Sequence, residues 1–516
     1  VASQNDPRLT ELAALLSEYP GEDEVYLYFE DSGKYLRLKQ HRISFDKSLS
    51  KILKNKFGET AIVDKKRKNN EMDMLNTSLW KNIFLFSLPL ALSSILQQLF
   101  HSVDVAVVGQ FAGDAALAGV SANASVTALF VNIFVGLSVG ANVVIAKYIG
   151  QNRLKDVEKV VHTVIGFALL IGLGMLVLGQ FIAKPLLHFV ATPEDVMPLA
   201  LRYLRIYFVG MPFLIFYNFS AAILRSVGDT KRPMYCLIFS GLLNAILNIV
   251  LVVGFHMGVE GVGIATAVSN MSSAIIVVTL LLREKSAIQL HIHKVCIDKV
   301  YFTQIIKVGL PAAIQSGVFS LSNVVIQKGI NYFGSNAISG SSVGLTFEYF
   351  TYYVVNAFSQ AAVTFSSQNY GARKLERCKK IYWICATEGM GLTALLSMIF
   401  TIWGRPLTGL YTTNTVVIAY ALIRMHHVMM IECLTGVYEI AAGVLRGIGR
   451  SLLPAIITIV GSVCFRIFWV YVIFPKNKTF DALMTVYPVS WIFTGIMMMT
   501  AYFIVTKKLF SGKQDK

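Results

Sequence analysis

Leu224-Arg225-Ser226-Val227-Gly228-Asp229-Thr230-Lys231-Arg232-Pro233 and Leu445-Arg446-Gly447-Ile448-Gly449-Arg450-Ser451-Leu452-Leu453-Pro454 carry one pattern, 221 residues apart. Each is Leu-Arg-x-x-Gly followed by Pro, and each joins two long apolar runs. The same offset relates Gly113 to Gly334, Gly119 to Gly340, Ser121 to Ser342, Gly150 to Gly371 and Leu154 to Leu375. It continues from Val268-Ser269 to Val489-Ser490. One offset kept over nearly half a chain is the mark of an internal duplication. The reading that follows is two homologous halves.

The runs between these markers are apolar enough for lipid. Of the 516 residues, 55% are hydrophobic and 15% charged, with a mean hydropathy of +0.59; soluble domains are about a quarter charged. A membrane span needs about 20 largely apolar residues. Twelve candidates meet that length: 83–107, 118–146, 158–183, 198–224, 234–256, 260–282, 303–330, 338–366, 379–403, 416–445, 452–475 and 482–506. The net charge of +16 is concentrated in alternate short loops, which indicates topology and not a nucleic-acid partner. Lys147, Arg153, Lys155 and Lys159 mark one such loop. Arg225, Lys231 and Arg232, then Arg283, Lys285, Lys294 and Lys299, mark the next two. Arg373, Lys374, Arg377, Lys379 and Lys380, then Arg446 and Arg450, and finally Lys507 and Lys508, complete the series. Lys184, Lys328, Arg405, Lys476 and Lys478 fall on the other side. The bias places both termini in the cytoplasm of a multi-pass protein. Six spans per half give both copies the same orientation, so the halves are parallel repeats enclosing a central cavity.

Residues 1–63 read differently. Asp6-Pro7 opens an amphipathic helix to Tyr19, Val25–Phe29 and Tyr35–Lys39 alternate like two strands around Asp31-Ser32-Gly33-Lys34, and a second helix runs from Asp46 to Phe57 with Gly58 as its stop. Tyr19-Pro20-Gly21 and the closing Phe57-Gly58-x-x-Ala61-Ile62-Val63 resemble the C-terminal tail of the bacterial DNA polymerase III alpha subunit. That likeness covers about an eighth of the chain and brings no catalytic carboxylates. The chain opens on Val1, and Met72 or Met74 stands just before the first span, so the segment is expected to be a fusion remnant. The expected organisation is an all-α membrane protein of twelve transmembrane helices in two six-helix lobes, preceded by a small α+β segment. Its parts are 1–63, a basic linker 64–75 (with Lys65-Lys66-Arg67-Lys68-Asn69-Asn70, able to touch anionic lipid), lobes at 76–283 and 303–508, an inter-lobe loop 284–302 and a cytoplasmic tail 509–516.

The repeated elements also resemble a family. Ser87-Leu88-Pro89 and Gly309-Leu310-Pro311 open the halves; Val103-Asp104-Val105-Ala106-Val107-Val108-Gly109 lies in the first span; Gly258-x-x-Gly261-x-Gly263-Ile264-Ala265-Thr266 opens the sixth. Together with the duplicated Leu-Arg-x-x-Gly and Pro, these resemble the multidrug and toxic compound extrusion (MATE) transporters over about 76–508.

Ionisable side chains inside a span are costly and mark function. Asp104 lies deep in the first span; Asn244 and Asn248, four apart, share one face of the fifth; Thr266 adds a hydroxyl on the sixth. A carboxylate, two amide oxygens and a hydroxyl suit a hard monovalent cation such as Na⁺, while a proton needs the carboxylate alone. The resemblance implies that these four form the coupling-ion site. It also implies a preference for Na⁺ over H⁺, since some proton-driven members carry a second Asp where Asn248 stands. The repeat puts Phe465 and Trp469 opposite Asn244 and Asn248, so this kind of site exists once.

In the second half, Glu348 stands beside Tyr349, Phe350, Tyr352 and Tyr353, a setting that suits a lipophilic cation, or an aromatic stripe that packs helices with Glu348 bonded to a neighbouring helix. Glu432 and Glu439 are further candidates for the substrate cavity, and Glu388 for helix packing. Arg225 and Arg446 read as anchors at equivalent helix ends, and Gly136-x-x-x-Gly140 as a close helix contact. Other chemistries find no support. Six scattered Cys form no CxxC pair, His291-x-His293 with Cys296 lacks a second ligand pair, and no GxxxxGK[ST] occurs. Neither DDxxD nor a nucleophile with its base is visible, so the chain is not read as an enzyme. The leading expectation is a secondary active exporter of small lipophilic cations, a monomer in the bacterial cytoplasmic membrane. It would exchange substrate for Na⁺ or H⁺ by alternating access, with no other cofactor and no partners beyond substrate and lipid. A lipid-linked precursor flippase of the same superfamily is the alternative, disfavoured because the intramembrane charges read as mainly acidic.

Overall fold

A computed structural model of the protein describes residues 8–29, 34–43, 47–57, 72–190 and 192–510. It divides into two compact units, Val1–Asn69 and Asn70–Lys516.

In the first unit, α1 (Arg8–Ser17) precedes a hairpin of β1 (Pro20–Phe29) and β2 (Lys34–Ile43), followed by α2 (Lys47–Phe57). The strands pair antiparallel with Tyr28 opposite Tyr35 and Leu27 opposite Leu36. The ladder runs further than apolar alternation indicates, continuing through the opposed Glu24 and Arg42. Leu16, Leu49 and Leu53 form the small core. Asp6-Pro7, the hairpin turn at 31–33, Gly58, the linker at 65–70 and the end of the tail lie outside the described residues.

The second unit holds the membrane helices: α3 (Leu79–Phe111), α4 (Ala115–Gly150), α5 (Leu154–Phe189), α6 (Met197–Ser226), α7 (Lys231–Gly254), α8 (Gly258–Arg283), α9 (Lys299–Asn331), α10 (Ser335–Gly371), α11 (Leu375–Ile402), α12 (Thr415–Gly447), α13 (Leu452–Lys476) and α14 (Phe480–Leu509). Eleven of them, among the described residues, are long and apolar enough to cross a membrane. The exception is α10, the longest, which is rich in Ser, Thr, Asn, Gln and Tyr. Its polar side chains, including Thr351, Ser359, Thr364, Ser366, Ser367 and Asn369, are buried against other helices. A helix shielded by protein need not be apolar on every face.

Backbone geometry repeats with the sequence. Positive φ occurs at Gly113 and Gly334 (83° and 84°), at Gly228 and Gly449 (91° and 85°), and at Asn152 and Arg373 (56° and 57°). All three pairs keep the offset of 221. The fifth helix of each lobe also widens into π-helical turns at matching places, Ile249–Gly254 and Trp469–Ile473.

The lobes meet through glycine. A Cβ added at Gly150 would stand 2.0 Å from the carbonyl oxygen of Gln368, and one at Gly371 would stand 2.2 Å from that of Lys147. These two contacts are pseudo-two-fold images, since Lys147 and Gln368 are themselves 221 apart. Gly136 and Gly140 likewise press on the backbone of α9 at Ala312 and Ile305. The leading helices cross between lobes. Leu79, Ile83, Phe86 and Leu90 of α3 belong to the core of the second lobe, while Val107 and Val108 belong to that of the first. Reciprocally, Tyr301 and Ile305 of α9 sit in the first core, and Ile326 and Ile330 in the second. Pro89 and Pro311 lie inside these helices, each within the stretch that packs in the core of the opposite lobe, where each removes one backbone hydrogen bond.

Overpacking at a closed backbone contact costs about 1–3 kcal/mol, whereas Gly to Ala in an open helix position gains up to about 1 kcal/mol. Gly371→Ala and Gly150→Ala are therefore expected to lower the melting temperature in detergent. Gly174→Ala, which meets nothing within 4 Å, is expected not to. Equal melting of all three would contradict the seam.

Candidate functional site

The first lobe brings three of the four predicted ion ligands together. Helix α3 places Asp104 where it is only 8% exposed, and α7 places Asn244 and Asn248 one turn apart beside it. The Asn248 amide nitrogen donates to Asp104 Oδ1 at 2.5 Å and to Asn244 Oδ1 at 3.2 Å. The Asn248 amide oxygen is buried and has no hydrogen-bond partner. Thr266 is half-buried on α8, its hydroxyl donating to its own helix at Val262 O, 2.9 Å away. It stands apart from the Asp104 cluster, and buried Tyr203 of α6 lies beside both. Asp104 Oδ1 and Asn244 Oδ1 thus converge on the Asn248 amide nitrogen, and among the described residues no cationic side chain is hydrogen-bonded to Asp104.

The second lobe holds a different arrangement, in which Glu348 is bonded to a neighbouring helix. Glu348 is not a free carboxylate for an incoming cation. The Arg424 guanidinium of α12 donates to Glu348 Oε2 from Nε at 3.1 Å and from a terminal nitrogen at 2.7 Å. The same guanidinium reaches the Ser341 hydroxyl at 2.8 Å and the Tyr487 hydroxyl at 3.4 Å. Glu432 is buried and takes a hydrogen bond from Thr351, so it faces the interior of the lobe. Tyr487 lies between two guanidinium groups: Arg424 at 5.3 Å and Arg466 at 4.8 Å from the ring centroid. Arg466 is fully buried, donates to Asn323 Oδ1 at 3.1 Å and also covers Phe319. The intramembrane charge thus includes two arginines beside the acids Asp104, Glu348, Glu388, Glu432 and Glu439. Arg424 and Arg466 each interrupt an apolar span, which is the signal that could have found them.

Glu439, Tyr349 and Tyr352 are half-buried; the Tyr349 ring stacks on Tyr353 at 5.9 Å. Glu388 keeps one buried oxygen without a partner. Tyr353 donates to Gln98 Oε1 at 3.1 Å and Asn132 to the Ser320 hydroxyl at 3.1 Å; Asn132 and Tyr353 are repeat equivalents. From this level down to the face carrying Lys147, Arg153, Lys374 and Arg377, hydrogen bonds join the lobes. Asn142 donates to Thr364 at 2.8 Å, Gln368 to Ser226 O at 2.7 Å and Arg225 to Gln360 at 2.7 Å. Among the described residues, the inter-lobe hydrogen bonds all lie in this half of the molecule. Arg446, the equivalent of Arg225, stays within its own lobe and donates to Gln315 at 2.9 Å.

Two six-helix repeats, closed against each other on one side and each lined with buried polar groups, define a membrane transporter and not an enzyme. The MatE family model matches twice, over 89–250 and 311–472, one copy per lobe. The chain belongs to the MatE (MATE) family of efflux transporters. It is 28% identical over 393 residues to the probable multidrug resistance protein YoeA of Bacillus subtilis (strain 168), covering 74% of this chain and 84% of that protein. With the multidrug export protein MepA of Staphylococcus aureus (strain NCTC 8325 / PS 47) it shares 21% identity over 372 residues, 72% of this chain and 82% of MepA. A crystal structure of MATE in complex with MaL6 superposes with a TM-score of 0.80 at 18% identity, over 87% of this chain and 100% of that one. An outward-facing multidrug resistance MATE family transporter of the MOP superfamily superposes at 0.78 and 19%, over 85% of this chain and 98% of that one.

Removing one partner of a buried ion pair costs about 3–5 kcal/mol, whereas replacing both with apolar groups is often near neutral. Arg424→Leu is expected to destabilise the protein by that amount. Glu348→Leu combined with Arg424→Leu is expected to recover most of the loss in unfolding measurements in detergent. Additive losses in the double variant would contradict the pairing.

Proposed function

We propose that the protein exports lipophilic organic cations by exchanging them for an inward-moving Na⁺ or H⁺. The observation that carries this is the Asp104–Asn248–Asn244 cluster, whose Asn248 oxygen is buried without a partner. Turning the Asn248 amide over would bring that oxygen toward the Asp104 and Asn244 oxygens, a set that a desolvated hard cation would complete. Asp104, Asn244 and Asn248 would hold Na⁺ there, with Thr266 at the edge. The alternative, a proton on Asp104, uses the carboxylate alone. The ion would favour one of two lobe arrangements by its differential affinity for them. The basic loops support a cytoplasmic placement of the face on which the lobes are joined. Names of relatives such as YoeA and MepA, with their resistance and multidrug export, support the substrate class.

The test is ethidium efflux in pump-deficient cells under an imposed Na⁺ or pH gradient. Wild type is expected to respond to one gradient, and Asp104→Asn to lose that response by about tenfold or more, as for loss of a buried functional charge. Unchanged efflux in the variant under both gradients would remove Asp104 from the mechanism.

A further inference from the structure

Residues 72–78, just before α3, are neither loop nor helix of either lobe; they are tied to both. On the first lobe, the Met72 amide donates to Val227 O at 3.2 Å. Met72 and Met74 also pack on Gly228, where an added Cβ would stand 2.6 Å from Met72 Cβ. On the second lobe, Arg377 donates to Met74 O at 3.1 Å and to Thr77 O at 3.0 Å. Asn369 donates to Met74 O at 3.2 Å, and its own oxygen receives Arg377 Nε at 3.0 Å. Lys374 donates to Leu75 O at 3.1 Å and to Asn76 Oδ1 at 2.7 Å.

The segment is also folded in itself. Asp73 Oδ1 receives the amides of Leu75 and Asn76 at 3.0 and 3.1 Å, and Asn82 of α3 donates to Asp73 O at 3.1 Å. It is therefore a shaped strap and not slack chain. The repeat supplies its counterpart. Asp156, the equivalent of Arg377, receives the Tyr301 hydroxyl at 2.5 Å, and Thr163 receives the Asp298 amide at 3.3 Å. The entry to each lobe is thus tied to the opposite lobe, with Arg377 and Asp156 in matching positions and the other contacts differing.

We propose that Met72–Thr77 is a latch on the basic face, and that its release from Asn369, Lys374 and Arg377 is an obligatory step each time that face opens. This rests on the alternating-access reading of the function. Separation of the lobes moves Val227 away from Asn369, and a strap of six residues bonded to both cannot span the gap. The strap is continuous with α3 and seated on the end of α6. Met74 and the first turns of α3 pack in the core of the second lobe as well, so in this step the half of α3 before Pro89 leaves that core together with the strap. The bonds that break are the three side chains' bonds to strap carbonyls and to Asn76. Asn369, Lys374 and Arg377 are positioning residues: they touch no substrate and hold the closed state through the strap.

The test is a reversible lock. Thr77→Cys and Arg377→Cys are introduced into full-length protein whose six native cysteines are replaced. Ethidium efflux is then measured under the driving gradient, reduced and oxidised. Reduced protein is expected to transport. Disulfide formation is expected to lower the rate by roughly tenfold or more, as when a gating step is blocked, with recovery in dithiothreitol. Asn76→Cys with Lys374→Cys provides the same lock should the first pair fail to fold. Oxidised protein that transports as fast as reduced protein overturns the latch. Absence of gradient-driven efflux in wild type itself would instead overturn the transport reading.

Discussion

Two backbone contacts, Gly150 on the carbonyl of Gln368 and Gly371 on that of Lys147, set how near the lobes approach on the basic face. Without side chains at these points, helix backbones can meet at a distance that only glycine allows. Everything between the lobes on that side follows from this approach. Asn142 reaches Thr364, Gln368 reaches the end of α6 and Arg225 reaches Gln360. In a bilayer the hydrophobic effect does not press helices together, so close packing and buried hydrogen bonds must hold the seam. A contact held in this way can be made on one side of the membrane and given up without exposing a large apolar surface to water.

The crossing of α3 and α9 adds a second constraint. Each helix begins in the core of the opposite lobe and ends in its own, so the lobes cannot separate as two intact bodies. The half-helices before Pro89 and Pro311 have to change their packing when the basic face opens. The missing backbone hydrogen bond at each proline is a natural place for such a helix to bend.

The duplication was legible because it is written in residues with a backbone duty. Gly228 and Gly449 recur since both adopt positive φ, and Gly150 and Gly371 since both lie under a carbonyl. Asp104 and the Asn pair were legible because a carboxylate and two amides stand out in apolar helices. The partner of Glu348 was not: Arg424 lies 76 residues away, and helix periodicity says nothing about which spans are neighbours. Attention to acids alone also left Arg466 unread, although an arginine within an apolar span needs a partner as much as an acid does. The full extent of α10 was hard to judge by hydropathy for a related reason, since its surroundings are protein on most sides. Thr266 joined the ion ligands on the resemblance, and its hydroxyl donates to its own backbone at Val262 O, which leaves the oxygen able to accept or to coordinate.

The two lobes therefore share a backbone and divide the chemistry. In the first, a carboxylate is left without a countercharge and an amide oxygen without a donor. In the second, Arg424 neutralises Glu348, and Arg466 is held by aromatic faces and an amide. A charge already paired inside low dielectric changes little when a small cation arrives nearby, because its field is cancelled locally. An unpaired carboxylate changes most. On the proposed ion coupling, the ion-sensitive element lies in the first lobe, where α3 carries Asp104 toward one end and packs in the core of the opposite lobe at the other. That single helix joins the cluster to the seam, and no side chain between them has to relay the signal.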